Sequence, residues 1–243
     1  MAADETATGV RGIMTLVIFD CDGVLVDSEI LANELLAGMM TELGHPMTTA
    51  DAVQKFTGCS LTDVLALIEG VLGRKVPDEV GQRFGRRLSE RLRRDLKPIE
   101  GVKAVIANLP YRRCVASSSS IERIRLSLEV TGLASLFDGN VFSATQVAHG
   151  KPAPDLYLFA ARTMSVTPSQ CIVVEDSPVG VKAGVAAGMT VVGFAGGAHA
   201  TSDLAQKLSA AGARQVLSSM SELPAVIASQ HSACDNLPQG SGS

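Results

Sequence analysis

The chain has 243 residues, enough for one large domain or two unequal ones, and its 46% hydrophobic and 19% charged content is that of an ordinary globular protein. A net charge of −4 leaves nothing to draw the whole molecule to nucleic acid or an anionic membrane surface, and the longest apolar stretches, such as 13–19, are far too short to span a bilayer. The five cysteines are scattered without a CxxC pair, which reads as reduced thiols and not as a disulfide framework or a zinc site.

Residues 1–12 mix acidic and basic side chains and hold no apolar signal core, so a cytoplasmic location is expected. The first strong element is MTLVIFD at 14–20, a short apolar run rich in β-branched residues that stops at an acidic cluster. Such a run reads as a strand buried on both faces of a parallel sheet. Residues 28–97 differ. They hold no convincing strand, and helical patterns cover 30–43, 61–72 and 78–96. This stretch is predicted to be a helical cap inserted after the first strand. Its last helix carries Arg83, Arg86, Arg87, Arg91, Arg93 and Arg94, read as a solvated face with acidic neighbours at i,i+4.

Three further buried strands are predicted at 113–116, 171–174 and 190–194, with a weaker one at 139–142. Helical patterns lie between them at 120–131, 154–164 and 179–187. Strand alternating with helix predicts an α/β fold, a doubly wound Rossmann-like parallel sheet. The expected division is a core of 13–27 and 98–225, the small α-helical cap at 28–97, and flexible tails at 1–12 and 230–243. Ligands of such sheets bind outside the carboxyl ends of the strands. Each chemically suggestive cluster in this sequence falls there.

Asp20 and Asp22 end the first strand, and Gly23 lets the chain turn away after them. Two carboxylates so close repel unless a cation or proton lies between them, a problem that Mg²⁺ solves. One aspartate can then attack phosphorus and the other serve as acid and base; such a pair can equally cap a helix. Ser117–Ser120 follow the second strand. A serine here caps the next helix, and a hydroxyl beside free N–H groups also makes an anion site. Lys151 sits in GKPAPD, where two prolines stiffen the loop; it is either surface charge or a neutraliser of phosphate and Asp20. Glu175 and Asp176 close the fourth strand before Ser-Pro, where they could start a helix or complete a metal site.

In this order DxDGVLVDSE, the hydroxyl after the second strand, GKPxPD and VEDSxxG resemble the haloacid dehalogenase superfamily of phosphotransferases, nearest to its β-phosphoglucomutase-like and 6-phosphogluconate-phosphatase-like branch. The resemblance spans about 15–194. It implies a phosphatase acting through an aspartyl-phosphate on Asp20, with Asp22 as acid and base. It implies Mg²⁺ held by Asp20, the Asp22 carbonyl, Asp176 and Glu175. Ser117 and Ser118 would hold the transferring phosphate, Lys151 would bridge it to Asp20, and the cap loop 56–61, including Gly58, would touch the substrate. The partner implied is a small phosphorylated metabolite such as a sugar, sugar-acid or polyol phosphate, taken by a monomer or weak homodimer.

Where mutases of this branch carry a cap-loop arginine and a cap-helix histidine, this chain aligns Leu61 and Ala32. Hydrolysis is therefore expected over phosphosugar mutation. A non-catalytic phosphometabolite-binding protein is the rival from another class, although every expected chemical residue is present. A nucleotide-dependent oxidoreductase, suggested by GFAGGAH at 193–199, lacks GxGxxG after the first strand.

Overall fold

The computed structural model describes residues 16–234. The chain runs β1 (Leu16–Phe19), α1 (Glu29–Glu42), α2 (Thr49–Phe56), α3 (Leu61–Leu72), α4 (Asp78–Asp95), α5 (Val102–Asn108), β2 (Arg112–Ser117) and α6 (Ile121–Val130). It continues through β3 (Val141–Ser143), α7 (Asp155–Thr163), β4 (Cys171–Glu175), α8 (Pro178–Ala186), β5 (Thr190–Phe194), α9 (Leu204–Ala211), β6 (Gln215–Leu217) and α10 (Leu223–Cys234). All strands are parallel, in the order β3-β2-β1-β4-β5-β6. Strand order reverses beside β1, so the crevice for a ligand lies beyond the carboxyl ends of β1 and β4.

Alternation along β1 builds two cores. Val17 and Phe19 join Val115, Val174, Ile106, Ile124 and Ile227 on one face. Leu16 and Ile18 join Cys114, Val173, Leu156, Tyr157 and Leu208 on the other. Every residue of LVIF is therefore buried, which is why the run shows no polar alternation.

A third core forms within the insertion: Leu36, Met40, Phe56, Ile68, Phe84, Leu88 and Leu92 pack α1 to α4 together, and Leu126 of α6 packs against it. Local chemistry sets these helices. Thr48 and Asp51 form a reciprocal cap on α2, Ser60 accepts from the Asp63 N–H to start α3, and Gly73, at φ +65°, ends it.

The arginines of α4 correct the expectation of i,i+4 pairing. Arg83 and Arg87 reach Glu42 at 3.0 and 2.9 Å, and Arg91 reaches Glu34 at 3.0 Å, all across to α1. Of that set only Arg91–Asp95 is an i,i+4 pair. Exposed pairs contribute about 0–1 kcal/mol each, so they orient α4 more than they stabilise it.

Sequence patterning placed β2, β4 and β5 within about a residue of their observed ends, and β1 lies inside the expected run 14–20, whose first two residues are outside the described residues. The strand expected at 139–142 is shorter and later, at Val141–Ser143. β6 was not foreseen, because a three-residue edge strand is too short to show a period. α10 continues to Cys234, beyond the position 230 where the tail was expected. The expected tail at 1–12 and the part of the other beyond 234 lie outside the described residues.

Candidate active site

β1 delivers Asp20. Its N–H continues the ladder onto the Val174 carbonyl at 3.0 Å, which fixes the carboxylate at the sheet edge. Lys151 meets it from the loop before α7, and Nζ is fully spent there. It donates to Asp20 Oδ1 at 2.8 Å, Glu175 Oε1 at 2.6 Å and the Ala116 carbonyl at 3.3 Å. Glu175 Oε1 also accepts from the Tyr157 hydroxyl at 3.0 Å, while Oε2 takes the Ser177 N–H and hydroxyl at 2.9 and 3.0 Å. Ser177 in turn caps α8, so one serine ties the acidic turn to the helix behind it.

Asp22 points elsewhere. Its carboxylate accepts from Ser28 Oγ, from Ser119 Oγ at 2.6 Å and from Arg123 Nη2 at 2.9 Å, with Ser117 Oγ at 3.5 Å. The cation neutralising this carboxylate is thus a guanidinium. Gly23 then turns the chain at φ +78°, and a Cβ there would overlap the Asp176 carboxylate and His199.

Burial raises the Asp20 pKa well above the ordinary carboxylate range; Lys151 opposes this, while Glu175, Asp176 and Asp22 add to it. Burial also acts upward on Asp22, but the Arg123 charge and the bonds from Ser119 and Ser28 prevail and hold it below its usual value. Glu29, buried in the first turn of α1, is pushed up to about 7 by burial and by the charges of Asp22 and Asp176.

Carboxylate oxygens of Asp20, Glu175 and Asp176 all lie within 4.8 Å of one another, and all three residues are buried. Asp176 Oδ2 has no hydrogen-bond partner, and His199 Nε2 stands 3.0 Å away without hydrogen-bond alignment. Three buried carboxylates converging in this way suit a hard divalent ion. Asp20 and Asp176 fit that role best, since Glu175 is already filled by protein donors.

The insertion closes over this group. Gly58 sits at φ +78° where a Cβ would come within 2.7 Å of Ser177 Cβ, so only glycine lets the loop approach so closely. Gly58 and Cys59, with Asp20, Asp22, Ser117 and Lys151, enclose a cage of about 20 Å³. A cleft of about 650 Å³ adjoins it between α3, α4 and α6, sharing Ser118, Ser119 and Arg123 with the cage.

Residues 17–194 match the profile of the haloacid dehalogenase-like hydrolases. The chain belongs to that family. Among its relatives, the 6-phosphogluconate phosphatase of Escherichia coli K12 is 30% identical over 186 residues, 75% of this chain and 83% of that protein. A phosphorylated carbohydrates phosphatase of Thermotoga maritima is 31% identical over 183 residues, covering 72% and 82%. Two solved structures share the fold. One is a conserved haloacid dehalogenase-like protein of unknown function from Agrobacterium tumefaciens C58, with TM-score 0.79 and 38% identity over 90% of this chain and 99% of that one. The other is a hydrolase of the same family from Deinococcus radiodurans R1 with bound phosphate and sodium, with TM-score 0.73, 32% identity and coverage of 90% and 96%.

In this hydrolase the expected residues Asp20, Asp22, Gly58, Ser117, Ser118, Lys151 and Glu175 all line the one cage, and Asp176 joins through the carboxylate cluster. Ser120 takes the plain helix-capping role, accepting from the Arg123 N–H at 3.4 Å. Sequence reasoning missed Arg123, Glu29 and Tyr157, did not separate Ser119 from its neighbours in the Ser117–Ser120 cluster, and gave His199, the last residue of GFAGGAH, no part in the site. Glu29 had a signal as the last residue of DxDGVLVDSE. Arg123 and Tyr157 lie on helices where nothing local distinguishes them.

Proposed function

We propose that the chain is a Mg²⁺-dependent phosphatase of small phosphate monoesters, a sugar, sugar-acid or polyol phosphate, working through an aspartyl-phosphate on Asp20. The observation that carries this reading is the convergence of Asp20, Glu175 and Asp176 oxygens within 4.8 Å, bridged by Lys151. The names of the relatives and the phosphate bound in the Deinococcus hydrolase support it.

The Asp20 carboxylate attacks phosphorus in line with the leaving alcohol. Asp22 gives its proton to that alcohol as the ester P–O bond breaks. The neighbours of Asp22 favour its ionised form in the free protein, so the proton that Asp22 passes to the alcohol is one taken up from the monoanionic ester as it binds. Asp22 then takes a proton from water, which attacks the aspartyl-phosphate and returns Asp20 and inorganic phosphate. Ser117 and the Ser118 backbone hold the phosphoryl oxygens, and Lys151 offsets charge on them and on Asp20. Bound Mg²⁺ would be held by Asp20, the Asp22 carbonyl and Asp176, with Glu175 beside them, and would neutralise the phosphoryl group.

Residues 28–97 serve as the cap, with the Gly58 loop excluding water from the cage. Leu61 is 39% exposed on the cleft rim and Ala32 lies buried beneath it, so neither position offers a cation to a second phosphate. This favours water over a sugar phosphate as acceptor. Dispersed thiols support a cytoplasmic setting, and a monomer or weak homodimer suffices.

The test is Mg²⁺-dependent phosphate release from p-nitrophenyl phosphate and a panel of sugar and polyol phosphates, with Asp20→Asn alongside. Equal turnover by both proteins would sink the mechanism. Conversion of a hexose 1-phosphate to its 6-phosphate, given the bisphosphate, would establish a mutase instead.

A further inference from the structure

Apart from the Cys59 thiol, two ionisable side chains reach the cage without a part in phosphoryl transfer or metal binding. Glu29 comes from the first turn of α1 and Arg123 from the first turn of α6. Both also line the small hollow beneath the insertion with Asn33, and Arg123 continues into the cleft of about 650 Å³. It is the charged group common to all three spaces.

Each keeps unused hydrogen-bonding capacity. Glu29 receives a long bond from Asn33 Nδ2, at 3.2 Å, while Asn33 Oδ1 has no donor. Arg123 places Nη2 on Asp22 at 2.9 Å, and its Nε–H has no acceptor. Buried groups left so are costly unless something completes them.

Position decides what that something is. Asp22 stands beside the leaving oxygen in the proposed reaction, so the guanidinium bonded to it abuts the alcohol fragment on its way into the cleft. Lys151 cannot serve that fragment, being committed to Asp20, Glu175 and the Ala116 carbonyl. Of the acids around the cleft, Asp63 is engaged by the Ser60 hydroxyl at 2.6 Å and Glu122 is exposed. Arg93 also lines the cleft but not the cage, so the cation that an acidic group meets beside Asp22 is Arg123, whose planar guanidinium matches a carboxylate well.

We propose that Arg123 is a specificity-determining residue that holds a carboxylate on the alcohol half of the substrate, with Glu29 accepting from a neighbouring hydroxyl. The substrate class is then a phosphorylated hydroxy acid or sugar acid, ahead of the neutral polyol phosphates. This rests on the phosphatase reading above and narrows it.

Matched pairs of esters test it: 3-phosphoglycerate against glycerol 3-phosphate, and 6-phosphogluconate against glucitol 6-phosphate. A charge-assisted bond contributes about 1.5–3 kcal/mol, so kcat/KM is expected to favour the acid of at least one pair by about tenfold or more. Arg123→Gln should bring that ratio close to unity, and Arg123→Lys should leave part of it. Losing the Arg123–Asp22 contact affects both members of a pair alike, so the ratio isolates recognition from chemistry. In Asp20→Asn, the preferred acid should raise Tm more than its neutral partner does, and adding Arg123→Gln should remove the difference.

Equal kcat/KM within both pairs overturns the proposal, as does an acid preference that survives Arg123→Gln. Should Arg123→Gln not fold, the wild-type ratios and Arg123→Lys decide alone. Absence of Asp20-dependent release from p-nitrophenyl phosphate would instead sink the phosphatase reading, and the melting shifts would still decide what Arg123 binds.

Discussion

Lys151 Nζ lies 2.8 Å from Asp20 Oδ1 although 131 residues separate them in the chain, and the same ammonium holds Glu175 at 2.6 Å. The three form one buried ionic group, with Tyr157 and Ser177 satisfying the rest of Glu175.

Removing the lysine strands two buried carboxylates. Lys151→Met is expected to abolish turnover and to destabilise the fold by about 3–5 kcal/mol, the range for an orphaned buried charge. Urea denaturation at pH 7 measures it. A second change, Glu175→Gln, should return part of the lost stability, because one uncompensated charge goes with it. A Lys151→Met protein as stable as wild type would mean that the group is not ionised as described.

Metal binding has a readout apart from catalysis. A ligand that binds only the folded state adds about 2.7 kcal/mol at one hundred times its Kd, so Mg²⁺ is expected to raise the Tm of the wild type. Asp176→Asn should blunt the rise, because it removes charge from the carboxylate whose Oδ2 lacks a hydrogen-bond partner. Chelation should lower Tm and stop phosphate release together. A full Mg²⁺ response in Asp176→Asn would move the ion elsewhere.

What the sequence made legible follows from where each signal lives. Asp20, Asp22, Glu175 and Asp176 each end a strand whose apolar run is unmistakable, so their shared edge could be inferred before the sheet was seen. Lys151 was marked by its prolines. Arg123 and Ser119 were not legible, since their meaning is a distance to Asp22 across about a hundred residues, and the SSSS run offers several equivalent hydroxyls. The arginines of α4 misled for a related reason: i,i+4 spacing is visible in a sequence, whereas Glu34 and Glu42 on α1 are neighbours only after the insertion packs.

The Gly58 loop separates activity from stability. Gly58→Ala introduces a Cβ at φ +78° against Ser177, so the loop must lift from the cage. Because the three cores lie elsewhere, Tm is expected to fall by only a few degrees, about the effect of 1 kcal/mol. Phosphate release should fall by about tenfold or more, since misplacement near 1 Å costs on the order of a hundredfold when positioning carries the rate. Thermal melts and kcat/KM on the same preparation check both. Unchanged kcat/KM would show that the loop does not seal the cage.

Glu29 gives the fold a pH dependence of defined sign. Its carboxyl is held at about 7 in the folded chain against an ordinary 4.5. Below 4.5 it is protonated in both states and contributes no difference. As pH rises toward 7 the unfolded chain releases this proton while the folded chain keeps it, so folding loses stability across that window and the loss levels off above it. At about 1.36 kcal/mol per pKa unit the full effect is about 3 kcal/mol. Glu29→Gln cannot titrate and is expected to escape it. The stability of Glu29→Gln minus that of wild type, followed by denaturant titration from pH 4.5 to 8, should therefore climb by about that amount and then flatten. Parallel stability curves would mean that Glu29 already meets a cation, and its place beside Arg123 as an acceptor for a substrate hydroxyl would fall with them.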